Sequence, residues 1–113
     1  MTDTFQIAVI PGDGIGTEVT EATLAVLDAV QRRINGYHLT YTKLMAGAAY
    51  YSDTEKDIEA SAELRASQAD AIYLGAIGLP TVRASDGTEI APHLRLREQF
   101  ELYAGLRPVR AYR

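Results

Sequence analysis

A short apolar run, a glycine loop and a long helical pattern constrain this chain more than any other feature. Residues 6–10 (QIAVI) are apolar and largely β-branched and end at Pro11-Gly12, which is typical of a buried parallel strand. The loop PGDGIG follows at 11–16, and an amphipathic helix is predicted from about Thr17 to Asn35. Its apolar positions at helical spacing are Val19, Ala22, Val26, Ala29 or Val30, and Ile34. Asn35-Gly36 is the predicted helix stop.

Strand and helix patterns continue to alternate after this first unit. Residues 37–44 alternate and carry aromatics and threonines, which predicts a second strand, and residues 70–74 (DAIYL) predict a third. Between these strands, residues 46–51 are predicted to form a small-residue loop. Ser52 and Glu55 have capping-box spacing, which predicts a helix over 53–67. The alternation predicts an α/β fold with a mostly parallel sheet.

Composition narrows the class of protein. The chain has 113 residues, 47% of them hydrophobic and 23% charged, which fits one soluble globular domain. The N-terminus lacks the basic start and apolar stretch of a signal peptide, so a cytoplasmic location is expected, and no apolar run is long enough to predict membrane association. Cysteine is absent, which excludes disulfides and thiolate metal sites.

Charge is distributed unevenly along the chain. The net charge is −4, but residues 81–113 contain six Lys/Arg against four Asp/Glu, whereas residues 1–80 contain five against eleven. A positive C-terminal third on an acidic protein indicates a site for an anionic ligand or a chance cluster. It does not resemble a nucleic-acid interface, which needs a basic domain with a charged face.

The PGDGIG loop invites comparison with the dinucleotide fingerprint G-x-G-x-x-G but does not fit it. The position that requires the third glycine is Thr17, and no acidic residue stands after the second strand, where Leu44 is followed by Met45 and Ala46. The carboxylate of Asp13 would also oppose a pyrophosphate. The sequence therefore argues against a Rossmann fold, and the glycines serve either close approach to a ligand or a plain turn.

Two arginines near the end of the chain are candidates for binding an anionic substrate. Pro92 is placed to open a helix over 93–100, which would carry Arg97, and residues 102–109 are predicted to be an extended strand, which would carry Arg107. Guanidinium groups on two rigid elements suit a dicarboxylate or hydroxy acid, because each can grip a carboxylate with paired hydrogen bonds. The alternative is that both arginines are solvated surface residues.

Three segments together resemble the isocitrate/isopropylmalate dehydrogenase family of β-decarboxylating enzymes, which includes tartrate and malate dehydrogenases. They are IAVIPGDGIGTEVTEATLAVLDAV at 7–30, ADAIYLGAIGLP at 69–80 and LRLREQFELYAGLRPVR at 94–110. The resemblance implies an isopropylmalate dehydrogenase-like three-layer α/β/α fold. Residues 1–113 would be the N-terminal part of its first domain, which binds cofactor and substrate.

The resemblance also implies roles for particular residues. Arg97 and Arg107, in the x-L-R and L-R-P motifs, would hold the malate-type carboxylates, and Ile90 and His93 would face the variable part of the substrate. A loop bordering the dinucleotide is implied at Gly75, Ala76, Ile77, Gly78, Leu79 and Pro80. Residues 11–16 are secondary candidates for the cofactor, with Ile10 and Gly14 in particular.

The substrate is left open by the segment before the predicted helix. Isocitrate enzymes place a serine and an asparagine where this chain has Ala91 and His93, and isopropylmalate enzymes place an acidic residue and leucines where it has Ile90 and His93. His93 would either hydrogen-bond a polar substituent or face water at the helix start. The expected substrates are 3-isopropylmalate, tartrate or malate, with the hydroxylated or short acids as the working hypothesis.

Further residues of such an enzyme are expected outside these 113. The resemblance implies NAD or NADP as cofactor, and Mg²⁺ or Mn²⁺ as metal. In the family, the metal ligands and the proton-transfer residues belong to later parts of the chain. It implies a homodimer when complete. The competing hypothesis is a non-catalytic family member that acts as a binding or interaction module.

Overall fold

Three parallel strands form the sheet, with the first strand of the chain in the middle. In this computed structural model, which describes residues 2–113, β1 (Asp3–Gly12) lies between β2 (Tyr37–Lys43) and β3 (Ala71–Ala76). Ile7 of β1 is paired with Tyr41 on one side and with Ala71 on the other. The three predicted strands and their parallel arrangement are confirmed, and β1 extends beyond the predicted apolar run at both ends.

The long helix α1 (Ile15–Ile34) covers one face of the sheet. It ends as predicted, because Asn35 and Gly36 both adopt positive φ, at 60° and 93°. The hydroxyl groups of Thr23 and Tyr73 lie 3.0 Å apart, in hydrogen-bonding contact, and so join this helix to β3. Within residues 2–113, no helix combines the length and the apolar composition that crossing a bilayer requires.

The apolar stripe predicted on α1 does not lie against the sheet. Val26 and Ile34 are 62% and 63% exposed, and Val19 and Val30 are exposed as well. The helix instead turns Gly16 and Thr20 inward, where both are buried. Small side chains at these positions let the helix start approach β3 closely, so steric fit selects the packed face.

The opposite face of the sheet carries the main hydrophobic core. Short helices α3 (Ala62–Ser67) and α4 (Pro92–Gln99) pack there, which places the sheet between two helical layers, as the expected three-layer α/β/α fold requires. The buried core cluster consists of Ala8, Ile10, Leu44, Ala46, Ala62, Ala66 and Leu96. The predicted helix after Pro92 is confirmed to within one residue.

The predicted helix over 53–67 is wrong, as is the predicted loop over 46–51. The chain forms α2 (Ala48–Thr54), breaks between Glu55 and Ser61, and then forms α3. Glu55 and Ser61 both have positive φ, at 61° and 65°. Ser52 lies inside α2 and therefore caps no helix. The first amides of α2 are bound instead by a carboxylate that lies far away in the sequence.

The predicted strand over 102–109 is also wrong. Residues 102–113 form neither helix nor strand and are exposed throughout. A strand gains its backbone hydrogen bonds only from a neighbouring strand, and none of β1–β3 pairs with this segment. Arg107 therefore lies on an extended, solvent-facing tail instead of on a rigid element.

Candidate substrate and cofactor site

The carboxylate of Asp13 organises the region where the predicted cofactor loops meet. Asp13 is 2% exposed, although it lies in the loop between β1 and α1. One carboxylate oxygen accepts hydrogen bonds from the backbone N–H groups of Ala48 (2.8 Å) and Gly78 (2.7 Å). The other accepts one from Ala49 (2.7 Å). A single side chain thus joins the PGDGIG loop, the start of α2 and the G-x-x-G-x-P loop.

Two glycines in this region allow α1 and β3 to touch. A Cβ at Gly75 would lie 2.2 Å from the carbonyl oxygen of Pro11 and 2.7 Å from the hydroxyl of Thr20. A Cβ at Gly16 would lie 2.3 Å from the same Pro11 oxygen and 2.7 Å from the amide nitrogen of Ala76. Gly75 is therefore packed against the helix start, and its predicted contact with a cofactor stays a prediction.

Ile10 lies in the hydrophobic core, where its side chain is 1% exposed. Gly14, the residue before α1, is exposed and lies beside Leu79, since a Cβ on it would be 3.8 Å from the nearest Leu79 methyl. Of these two secondary cofactor candidates, only Gly14 is open to a ligand. The assignment of either residue to a cofactor stays a prediction.

A cavity of about 230 Å³ brings the G-x-x-G-x-P loop next to the segment that precedes α4. Gly78 has a φ of 119°, and a Cβ built on it would meet nothing within 4 Å, so its backbone is open to a ligand. The cavity is lined by Ile77, Gly78, Leu79, Pro80, Val82, Arg83, Glu89 and Ile90. Four of the predicted cofactor residues and one predicted substrate residue are thus brought together.

His93 and Arg97 lie one turn apart on α4. The ring nitrogen Nδ1 of His93 is buried and has no hydrogen-bond partner within residues 2–113. Burial, and secondly the positive charge of Arg97, lower the pKa of His93 below its ordinary value. The imidazole is therefore neutral at neutral pH, with an unpaired polar atom beside a guanidinium group.

Arg95 joins α4 to α3 and to the segment before α3. Its guanidinium binds both carboxylate oxygens of Asp57, at 2.8 and 3.3 Å, and a carboxylate oxygen of Glu63 at 2.9 Å. Burial lowers the pKa of Arg95, but hydrogen bonds and charges of the two carboxylates outweigh that effect and raise the pKa overall. The sequence analysis missed this residue, because its partners lie 32 and 38 positions away.

The two predicted substrate arginines are not brought together. Arg97 lines a shallow depression with Leu94, Glu98, Glu101 and Leu102, and Arg107 is not among the residues around it. Arg107 lies on the exposed tail, where its guanidinium folds back toward Gly105. Joint binding of a carboxylate by these two arginines stays a prediction.

The described residues fit part of a dinucleotide site and no metal site. The open backbone of Gly78 and the apolar side chains of Leu79 and Ile90 suit the flat face of a base or a nicotinamide ring. The start of α2 is not suited to binding phosphate, because its first N–H groups already donate hydrogen bonds to the carboxylate of Asp13. Within residues 2–113, no three His, Asp or Glu side chains are grouped so that they could hold a metal ion.

Comparison with known proteins identifies the family. The family model described as isocitrate/isopropylmalate dehydrogenase matches residues 6–113. The chain belongs to this family. The match covers the glycine loop, the cavity-lining loop and α4, so the geometry above is that of a family member.

Relatives of this dehydrogenase family match nearly the whole chain. A 3-isopropylmalate dehydrogenase from Thermobifida fusca is 46% identical over 109 residues, which cover 96% of this chain. A decarboxylating D-malate dehydrogenase from Escherichia coli is 37% identical over 113 residues, which cover 99% of it. The chain spans only 30% and 31% of the length of these two relatives.

A solved structure confirms the fold. The apo form of a β-decarboxylating dehydrogenase from Thermococcus kodakarensis superimposes with a TM-score of 0.68 at 28% sequence identity. The similarity covers 88% of this chain and 27% of the other. The predicted family and the predicted fold class are both confirmed.

Proposed function

We propose that these 113 residues form the N-terminal part of an NAD(P)-dependent enzyme that oxidatively decarboxylates a malate-type 2-hydroxy acid. The observation that carries the proposal is the cavity lined by residues 77–80 and Ile90. It places the loop proposed to border the cofactor beside the residues that precede α4. Family membership supports the reaction class. Residues outside this chain supply the proton-transfer groups and the Mg²⁺ or Mn²⁺ ligands, and the complete enzyme is a homodimer.

The residues of this chain bind and orient rather than transfer protons. When bound, NAD(P)⁺ would supply the hydride acceptor for oxidation at C2; the hydroxyl proton would pass to a base outside these residues, and the resulting 2-oxo acid would lose its C3 carboxylate as CO2. Arg97 stays protonated and holds a substrate carboxylate with paired hydrogen bonds, and the resemblance alone assigns Arg107 to the same task, since the two arginines lie apart here. Leu79 and Ile90 exclude water from one side of the nicotinamide ring.

His93 favours a substrate with a polar substituent. The resemblance places it toward the variable part of the substrate, and the residue is only half-buried. Its Nδ1 is closed to solvent and so to a ligand as well, which leaves the other ring nitrogen, Nε2, to pair with a hydroxyl or carboxyl group, whereas an isopropyl group would give that nitrogen no hydrogen bond. Tartrate and malate are therefore proposed over 3-isopropylmalate.

A chimeric enzyme tests this proposal directly. Residues 6–113 would replace the matching segment of the Thermobifida fusca enzyme, and reduction of NAD⁺ and NADP⁺ would be followed with Mn²⁺ and each of the three acids. We expect turnover, with tartrate or malate preferred over 3-isopropylmalate. An inactive but folded chimera, beside an active parent, would refute the assignment of this segment to catalysis, and a preference for 3-isopropylmalate would refute the role of His93.

Conservative arginine variants of the chimera test the carboxylate contact. Arg97→Lys replaces a planar fork with a point charge and is expected to lower kcat/KM for the acid about 100-fold. Arg33→Lys is the matched control, because Arg33 is exposed in the last turn of α1 and lines neither the cavity nor the depression at Arg97. Equal kinetics for the two variants would remove Arg97 from the site.

A specific observation favours a second candidate function, a non-catalytic interaction module. Large apolar side chains are exposed on the described surface, including Ile34 at 63%, Leu106 at 90% and Val109 at 94%. Exposed apolar surface of this extent marks interaction sites or promotes self-association. Light scattering during gel filtration tests this: a chain that stays monomeric at high concentration and binds no partner argues against the module.

A further inference from the structure

We propose that Asp13 is the positioning residue that holds the 75–80 loop in the place where it borders the dinucleotide. The inference rests on the proposed function for the identity of the ligand. The placement of the loop by Asp13 is a separate claim, which is testable without any cofactor. Asp13 does not touch the ligand in this proposal, and acts through the backbone of Gly78.

The hydrogen bond from Gly78 to Asp13 is the contact that fixes the loop. At 2.7 Å it is a short bond to a buried carboxylate, and charge-assisted bonds of this kind are about twice as strong as neutral ones. The same residue binds the strand that precedes the loop, because the Asp13 backbone N–H donates to the Ala76 carbonyl at 2.7 Å. The loop is therefore held at two points by one residue.

The other two bonds to the carboxylate prevent it from moving. The N–H groups of Ala48 and Ala49 bind its two oxygens from the start of α2. The backbone of Gly47 lies close against the carboxylate, since a Cβ there would be 2.7 Å from both carboxylate oxygens, and so only glycine leaves room for the side chain of Asp13. Since α2 and the loop share one acceptor group, a shift of either element relative to the other would break its bond to that carboxylate.

The variant Asp13→Asn tests whether the carboxylate acts through its hydrogen bonds or only by filling space, because asparagine has nearly the same shape as aspartate. It carries one acceptor oxygen where three N–H groups converge, and its NH2 group would face at least one of those donors. The remaining bonds would be neutral and weaker. With its oxygen in the place that accepts from Ala48 and Gly78, the NH2 group faces Ala49, so we expect the Gly78 bond to persist as a weaker, neutral one and the loop to open more often while the fold is retained.

Amide hydrogen exchange in the 113-residue chain is the first measurement. In Asp13→Asn, exchange at Gly78 should be at least about tenfold faster, since the partner of that N–H is weakened. The matched control is Asp28→Asn, which changes a partly buried carboxylate that, among residues 2–113, binds only the side chains of Gln31 and Tyr41. Unchanged exchange at Gly78 in Asp13→Asn, or an equal change in both variants, would overturn the proposal.

Kinetics of the chimera are the second measurement, because a residue that only caps α2 would not alter them selectively. The KM for NAD⁺ should rise about tenfold in Asp13→Asn, while the KM for the hydroxy acid changes less than about twofold. Equal rises in both values, or no rise, would overturn the positioning role. If the unsubstituted chimera is inactive, the proposed function fails, and the exchange measurement alone decides whether Asp13 places the loop.

A second variant covers the case in which Asp13→Asn does not fold. Asp13→Ala removes the carboxylate without adding donors, leaves room for water and is expected to release the loop further. Its Gly78 exchange and KM for NAD⁺ should therefore change at least as much as in Asp13→Asn. If neither variant folds, Asp13 is needed for folding as such and the positioning proposal is refuted.

Discussion

Gly75→Ala tests whether this glycine serves helix–strand packing, as the structure indicates, or close approach to a ligand. Its backbone does not have the positive φ that favours glycine, so the effect of a methyl group is steric. That methyl would lie 2.2 Å from the Pro11 carbonyl oxygen, 2.7 Å from the Thr20 hydroxyl and 2.9 Å from the Gly16 carbonyl oxygen. Two of these three atoms belong to the backbone and cannot move away by a side-chain rotation.

The expected loss of stability follows from these distances. Overpacking a close-packed site by one methyl group typically costs about 1–3 kcal/mol. Because relief requires α1 and β3 to separate, we expect the upper end, about 3 kcal/mol. That loss corresponds to a fall in Tm of more than about 10 °C for a domain of this size.

Urea denaturation followed by circular dichroism measures this free energy of unfolding. Gly105→Ala is the matched control, because a Cβ there would meet only the mobile end of Arg107, at 3.3 Å, on the exposed tail. We expect that control to stay within about 0.5 kcal/mol of the unsubstituted chain. A Gly75→Ala variant as stable as Gly105→Ala would refute the packing argument and return Gly75 to the list of candidate ligand contacts.

Three further predictions concern buried or bridging polar groups. The buried Thr20 hydroxyl has no hydrogen-bond partner within residues 2–113, so the nearly isosteric Thr20→Val should raise the free energy of unfolding by about 1 kcal/mol, measured by urea denaturation. A fall of that size would show that the hydroxyl is paired. Since the pKa of His93 is lowered on folding, the free energy of unfolding should fall as the pH drops below about 6.5 and level off below the folded-state pKa. His93→Gln should flatten this part of the pH profile, and an unchanged slope would show that His93 does not cause it. Arg95→Ala removes half-exposed ion pairs to Asp57 and Glu63 and should lower the free energy of unfolding by about 1 kcal/mol, and by less at 1 M NaCl. A loss that does not depend on salt would mean that packing of the arginine stem matters more than its charge.

The strands and the first helix were predictable because their signals are local. QIAVI carries the apolar, β-branched pattern of a buried strand, and Asn35-Gly36 supplies the helix stop within two residues. The start of α2 at Ala48 was not predictable in this way. The group that caps α2 is Asp13, which lies 35 residues earlier, and capping rules read only the neighbouring positions.

The candidate site was predictable where the resemblance assigned a whole segment. Residues 77–80 and Ile90 do line one cavity, although only the fold explains why they are adjacent. The charge of Asp13 argues against a pyrophosphate there and stays a prediction, whereas its bonds to three backbone amides are a feature that no local pattern predicts. The predicted pairing of Arg97 with Arg107 assumed a strand that has no neighbouring strand here.

The central place of β1 in the sheet also bears on how the chain folds while it is being synthesised. β1 is complete at Gly12, but its partners end at Lys43 and Ala76. At about 5–20 residues per second, roughly 3–13 s separate the synthesis of β1 from that of β3. Both partners pair with β1 in parallel, and small mixed α/β domains with such non-local pairings fold on the order of milliseconds. The ribosome, rather than the pairing reaction, therefore sets the moment at which the two edges of β1 are covered.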